Sequence, residues 1–107
     1  MPIFGYQFIV RTYPYGTRLK HIVKIEVDDD VADPTTLVVY QIDPSGSQQG
    51  PFQATREAKG LYAYYRTYRG TPASSMFGQW ETVFSGTGAA EGSVSRRHNI
   101  ASTGANY

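Results

Sequence analysis

Short runs in which apolar and polar residues alternate recur along most of the chain. This period of two is typical of strands with one face buried in a sheet. In residues 19–27, for example, Val23 and Ile25 fall on one face, and Lys20 and Lys24 fall on the other. No segment repeats apolar residues with the helical period over three turns. The pattern therefore predicts an all-β chain.

Turn signals divide the chain into about seven predicted strands. Residues 35–42 are apolar on both faces, which is typical of a strand in the centre of a sheet. Asp33-Pro34 precedes this run and Asp43-Pro44-Ser45-Gly46 follows it, and both sequences favour turns. Strands at such short intervals favour a sandwich or a barrel, and about seven of them are consistent with an immunoglobulin-like antiparallel β-sandwich. The predicted strands are residues 5–13, 19–27, 35–42, 52–56, 61–68, 79–85 and 89–94.

The strand pattern also predicts the domain organisation. A chain of 107 residues is one domain. The sandwich is expected to occupy residues 14–95. Residues 1–13 are expected to form an N-terminal arm or an added edge strand. Residues 96–107 lack a strand pattern and have little apolar surface to bury, so they are expected to form a flexible C-terminal arm.

Composition excludes several classes of function. The chain has no cysteine, which rules out disulfides, thiolate zinc sites and cysteine nucleophiles. It has no apolar run long enough to span a membrane and no secretory leader pattern. Its net charge of +1 gives no general case for nucleic-acid binding. We therefore expect a protein made in a cytoplasm, with no membrane partner and no nucleic-acid partner.

Candidate catalytic and metal-binding residues are few. The two histidines, His21 and His98, lack the spacing of a zinc site, and His21 falls on an apolar strand face where a packed histidine is expected. Residues 28–30 and Asp33 form an acidic cluster without the spaced ligands of a calcium loop, so a solvated loop is the expected interpretation. Whether residues 28–30 bind a cation stays open at this point. We expect no cofactor and no enzymatic activity.

Three motifs in order carry a family resemblance. They are residues 33–46 (DPTTLVVYQIDPSG), residues 59–64 (KGLYAY) and residues 78–88 (GQWETVFSGTG). Together they resemble the small immunoglobulin-like structural proteins of tailed bacteriophages and prophages, over roughly residues 16–95. The loop of residues 69–77 looks longer than usual for that family.

The resemblance implies a noncatalytic virion structural protein, assembled in the bacterial cytoplasm. The first expectation is a capsid decoration or cement protein that binds the major capsid protein lattice, present as a homo-oligomer or in many copies. One alternative is a head–tail connector or another tail-associated protein. Another is a host-surface or carbohydrate-binding module. The sequence does not give the host or the copy number.

Alternation and the resemblance together divide the aromatic and aliphatic residues into core and surface. The predicted core is Val23, Ile25, Leu37, Val39, Tyr62, Tyr64, Trp80 and Phe84, of which Tyr62, Tyr64 and Trp80 match core positions of the family. The remaining aromatic residues exceed what a small core needs, and aromatic residues and arginine are enriched at protein interfaces. The predicted interface residues are Tyr6, Phe8, Tyr13, Tyr15, Tyr65, Tyr68, Met76, Phe77, Arg96 and Arg97. The alternative for the aromatic residues is a second layer of the sandwich that covers one sheet.

Overall fold

Two β-sheets pack against each other in the computed structural model, which describes residues 11–102. Tyr6 and Phe8 of the predicted interface lie outside the described residues. In chain order the strands are β1 (Arg11–Pro14), β2 (Arg18–Lys24), β3 (Glu26–Val27), β4 (Asp30–Val31), β5 (Thr36–Ile42), β6 (Gln48–Gln53), β7 (Thr55–Ala58), β8 (Leu61–Thr67), β9 (Gly78–Thr87) and β10 (Gly92–Ala101), and a short 3₁₀ helix spans Ala73–Met76.

The strand order is that of an immunoglobulin-like sandwich. One sheet has the order β1-β10-β9-β5-β6 and the other has the order β2-β8-β7, while β3 and β4 form a separate small hairpin. All pairs are antiparallel except β1 with β10. In the seven-stranded immunoglobulin arrangement, strands C, F and G share a sheet. Here β5, β9 and β10 occupy these three positions. The prediction of an all-β sandwich is confirmed.

The interior contains two apolar clusters. The first joins Val23 and Tyr62 of one sheet to Val39 and Phe84 of the other, and Ile25, Leu37 and Tyr64 pack against it. The second is formed by Tyr68, Met76, Trp80 and Ile100. Every predicted core residue therefore lies in a cluster or packs against one, and Trp80 belongs to the second. Burial of such side chains is the main favourable term in folding.

A polar layer lies between the two clusters. Along β9 the inward positions are Phe84 of the first cluster, then Thr82, then Trp80 of the second. On β5, Gln41 follows Val39 in the same way, and both side chains are fully buried. Alternation of apolar residues predicts that Val39, Trp80 and Phe84 point inward, but it does not predict that the polar Gln41 is buried beside them.

The Asp33-Pro34 motif joins the start of β5 to the other sheet. The Asp33 carboxylate accepts hydrogen bonds from Arg56 Nη2 at 3.0 Å, the Gly60 backbone N–H at 2.9 Å and Tyr62 Oη at 3.0 Å. The Arg56 hydrogen bond, with smaller contributions from Gly60 and Tyr62, lowers the pKa of Asp33 to about 2. The residue before the proline thus stabilises the β7–β8 turn as well as ending a loop.

The C-terminal part of the chain differs from its prediction. Residues 96–101 belong to β10, a ten-residue strand that pairs with β9 along most of its length. The prediction of a flexible arm beginning at residue 96 is therefore wrong for these residues. The pattern is hidden because His98, a polar residue, occupies a core position and Arg96 faces an open part of the sandwich. Residues 103–107 lie outside the described residues.

Two further boundaries differ from prediction. Residues 48–51 lie between the predicted strands 35–42 and 52–56, yet they begin β6, and the chain crosses to the other sheet at Ala54 before β7. Pro51 is tolerated because β6 is the edge strand of its sheet. The last strand begins at Gly92 rather than at residue 89.

We expect Gly60→Ala to destabilise the chain more than Gly46→Ala. Both glycines have positive φ, 71° and 93°, so alanine is strained at either position. Only at Gly60 would the added Cβ also meet backbone, 2.7 Å from the Ile25 carbonyl oxygen; at Gly46 nothing lies within 4 Å. Urea unfolding should give a loss of about 1 kcal/mol for Gly46→Ala and about 2–3 kcal/mol for Gly60→Ala. Equal losses would show that the contact between the added Cβ and the Ile25 carbonyl oxygen is relieved without a cost in stability.

Candidate functional site

Hydrogen bonds connect the polar layer across both sheets. Gln41 Nε2 lies 2.7 Å from Tyr68 Oη and 2.8 Å from Thr82 Oγ1. Arg66 Nη1 donates to Gln41 Oε1 at 2.7 Å and to Gln49 Oε1 at 2.8 Å. The network therefore satisfies Gln41 completely in a fully buried position.

Arg66 is a cation held by neutral groups. Besides the two amide oxygens, the faces of Trp80 and Tyr68 lie near its guanidinium, with ring centroids 4.8 Å and 5.5 Å from Cζ. No ion pair within residues 11–102 involves Arg66. Its positive charge is therefore felt by the groups around it.

The network reaches His21 through Tyr68. Because Gln41 Oε1 accepts from Arg66, Gln41 Nε2 must be the donor to Tyr68 Oη. The hydroxyl proton of Tyr68 is then available to His21 Nε2, 2.9 Å away, which accepts it only as a neutral imidazole. His21 accepts this hydrogen bond in the neutral tautomer that carries its proton on Nδ1.

The two histidines lie side by side, with ring centroids 5.2 Å apart. Burial, and then the charge of Arg66, lower the pKa of His21 to about 4. Burial, His21 and Arg66 together lower the pKa of His98 to about 4. His98 is 5% exposed, and its Nε2 is buried without a hydrogen-bond partner among the described residues.

Tyr68 is not available for reaction with solvent. It is fully buried, and burial raises its pKa to about 12. At neutral pH the network therefore contains a protonated tyrosine and two neutral histidines. This arrangement can hold the sheets in register, and it presents no exposed nucleophile.

An uncovered strip runs along the sandwich above the histidines, and we call it the β2–β10 seam. Its walls are β2 and residues 92–97 of β10. Among the described residues β2 pairs only with β8, and β1 covers β10 only from His98 to Ala101. Two strand edges that no strand of the described residues pairs with therefore face this strip.

One end of the seam is strongly basic. A cavity of about 310 Å³ there is lined by four cationic residues and both histidines, and none of the described residues that line it is Asp or Glu. Lys20 is paired with Glu57 at 3.0 Å, but no ion pair within residues 11–102 involves the other three. These three are Arg11, Arg96 and Arg97.

The other end of the seam is mainly apolar. A second cavity of about 250 Å³ lies beside Val23, Ile25 and Leu37, and Phe84 lines both cavities. Val94 borders this end and is 43% exposed, and Ile22, which lines the basic cavity, is 44% exposed. Such exposure of large apolar side chains along one strip is a feature of interaction surfaces.

The structure places the predicted interface residues in three environments. Tyr68 and Met76 are core residues, 0% and 9% exposed, so predicting them as interface was wrong. The physical reason is that the 3₁₀ helix folds the loop of residues 69–77 over the end of the sandwich, and the Met76 carbonyl accepts a hydrogen bond from Trp80 Nε1 at 2.9 Å.

Three more of these residues are half-buried. Tyr13, Tyr15 and Phe77 pack against the second cluster, and the rings of Tyr15 and Phe77 meet edge to face at 5.9 Å. The second-layer alternative thus describes these aromatic residues better than an open interface does. The loop of residues 69–77 and the segment that contains β1 supply this layer.

The remaining predicted interface residues lie near solvent. Tyr65 donates to Glu57 Oε2 at 2.8 Å, and Arg18 stacks over its ring with Cζ 4.5 Å from the centroid. Arg96 and Arg97 are exposed on β10 at the seam. Among the predicted interface residues that the structure describes, Arg96, Arg97 and Tyr13 line a cavity, and Arg96 and Arg97 also lie on the edge of β10 that no described strand covers.

Sequence reasoning missed the centre of the network. Gln41 was not a candidate, because polar residues inside a strand pattern are normally assigned to the exposed face. One signal was available. In the alternation of β5, Gln41 falls on the same face as Leu37 and Val39.

The acidic cluster forms a turn rather than a ligand set. Asp28 and Asp29 have positive φ, 54° and 69°, in the turn between β3 and β4. Between residues 11 and 102, no group of three His, Asp or Glu side chains could hold a metal ion. No helix in that range is long and apolar enough to cross a membrane.

The geometry comprises a β-sandwich, a buried polar layer and the open β2–β10 seam. Function has to be inferred from these features and from the three sequence motifs. Comparison with protein-family models, curated proteins and solved structures finds no match to this chain.

Proposed function

We propose that this chain is a noncatalytic structural protein of a bacteriophage particle, a decoration protein that binds the capsid lattice. The observation that carries the proposal is where the three motifs fall. Residues 33–46 contain β5, residues 59–64 begin β8 and residues 78–88 contain β9. These strands supply Val39, Tyr62, Trp80 and Phe84 to the two clusters. The resemblance therefore concerns the strands that build the core of the sandwich.

The seam supports a binding role. A sheet edge left unpaired is a template for another chain, and proteins that do not use such an edge normally cover it. Here two edges, exposed apolar side chains and three arginines that form no ion pair within residues 11–102 occur along one strip. Repetition of one modest contact over a lattice gives firm attachment through multivalency.

Counting the chain in purified particles tests the proposal. Quantitative mass spectrometry of phage particles that encode this chain should find hundreds of copies per particle. A count matching one ring, about six to twelve copies, would support the head–tail connector instead. Particles that lack the chain altogether would contradict a structural role in the virion.

Truncations add a test of the terminal segments. Deleting residues 1–10 or residues 103–107 should weaken capsid occupancy without loss of the fold, because neither deletion removes a described strand. Deletion from residue 96 is unsuitable, because it would remove part of β10 and its pairing with β9. Full occupancy of both truncated chains would contradict the use of the termini in binding.

A further inference from the structure

We propose that the β2–β10 seam binds an extended segment of the partner protein, with acidic side chains of that segment at the Arg96 end and apolar side chains at the Val94 end. The inference rests on the proposed function, because it specifies the chemistry of the partner that the sandwich recognises. It concerns an interaction surface that neither the motifs nor the resemblance identifies.

The shape of the seam favours an extended occupant. On the side of β10 away from β9, no strand within residues 11–102 pairs with residues 92–97, a stretch of about 20 Å at the rise of a strand. No described strand pairs with the opposite edge of β2 either, so a strand lying between them could bond to backbone groups of either wall. A globular surface could not reach these backbone groups along their length.

The charges of the seam favour an acidic segment at one end. Arg96 is the register partner of Thr82 and Arg11 that of His98, so both arginines start from the inward faces of their strands, above the polar layer. The side chain of His98 is more than nine-tenths buried at this end, and its Nε2 has no partner among the described residues. A carboxylate there would meet arginine donors without an acidic competitor in the lining.

The opposite end of the seam favours apolar side chains of the bound segment. Val23, Ile25 and Phe84 line it, with the Lys24–Glu26 pair and Glu91 at its border. Apolar side chains gain most from burial there, and a second acidic group would be repelled by Glu91. The two ends of the seam therefore differ in chemistry, and this difference would orient the segment that the seam binds.

Residues 1–10 of the chain are a competing occupant, since they directly precede Arg11 at the basic end. They contain Ile3, Phe4, Phe8 and Ile9 but no acidic residue. They offer nothing to the arginines, which is why we assign the seam to a partner. Deletion of residues 1–10 separates the two occupants experimentally.

Peptide binding to the full-length chain tests the inference. The probe is a hexapeptide with three glutamates in one half and three valines in the other half, and its control has lysine in place of glutamate. By NMR, the glutamate peptide should shift backbone amides of residues 18–24 and 92–97. Arg96→Gln and Arg11→Gln should each weaken binding about fivefold. Lys59→Gln, which removes one charge outside both cavities, should change it less than about twofold.

Several results would overturn the inference. One is equal binding of the lysine peptide, and another is equal weakening by Arg96→Gln and Lys59→Gln. If inorganic phosphate alone shifted the same amides along both strands, the basic end would be a small-anion site. If binding required prior deletion of residues 1–10, the chain's own N-terminal segment would be the occupant. Because the isolated chain is used, these outcomes are independent of its copy number in particles.

Discussion

Gln41→Leu should lower the free energy of unfolding by about 3 kcal/mol. Gln41 is fully buried and makes three hydrogen bonds, to Tyr68, Thr82 and Arg66. Leucine fills a similar volume but leaves two hydroxyls and a guanidinium short of a partner. The cost comes from those desolvated groups rather than from the bonds themselves. Urea unfolding at pH 7 measures it.

Gln49→Leu is the matched control. Gln49 also accepts a hydrogen bond from Arg66 Nη1, at 2.8 Å, but it is only half-buried. Water can replace the lost partner there, so we expect a loss of about 1 kcal/mol. If the two variants lost the same amount, the polar layer would not be the buried network described above.

Stability should also fall by about 2–3 kcal/mol between pH 7 and pH 5, because of the two histidines. Each has a pKa of about 4 in the folded chain and about 6.5 when unfolded. The unfolded chain therefore binds more protons than the folded chain as pH falls from about 6.5 to 4, and the contribution of the neutral rings is lost in that window. The basic cavity beside the rings admits solvent, so the figure is below the full value of the two shifts.

His98→Phe should roughly halve this loss. Phenylalanine suits the site, because Tyr68 and Tyr13 already pack edge to face with the His98 ring at 4.9 Å and 6.2 Å. It also removes the unpartnered Nε2. Unfolding of both chains by urea at several pH values gives the comparison. A pH dependence unchanged by the substitution would mean that His98 does not titrate in this window. The contribution of the Asp33 carboxylate to stability is lost at lower pH, as the pH falls from about 4 towards 2.

The sequence predicts the framework because the framework obeys local rules. The Asp33-Pro34 and Asp43-Pro44 turns bound a run that is apolar on both faces, and it forms β5 between two neighbours in its sheet. The alternation around Trp80 and Phe84 likewise predicts β9. In both elements the hydrophobic period, the turn chemistry and the tertiary position agree.

The rest could not be predicted because it depends on tertiary partners. His98 and Gln41 are polar residues in core positions, acceptable only because Arg66, Tyr68 and Thr82 surround them in the fold. The seam is a property of two strands distant in sequence, β2 and β10. Arg96 was a candidate from the sequence alone, but its neighbours, the Thr82 and His21 side chains, follow from the sheet packing.

Electron cryomicroscopy of intact phage particles that encode this chain tests the central claim most directly. The account predicts a small β-sandwich repeated over the capsid surface, with the strip between β2 and residues 92–97 turned toward the capsid and an extended segment of a neighbouring protein lying in it. A sandwich bound with that strip open to solvent, or a capsid surface without any such density, would contradict it.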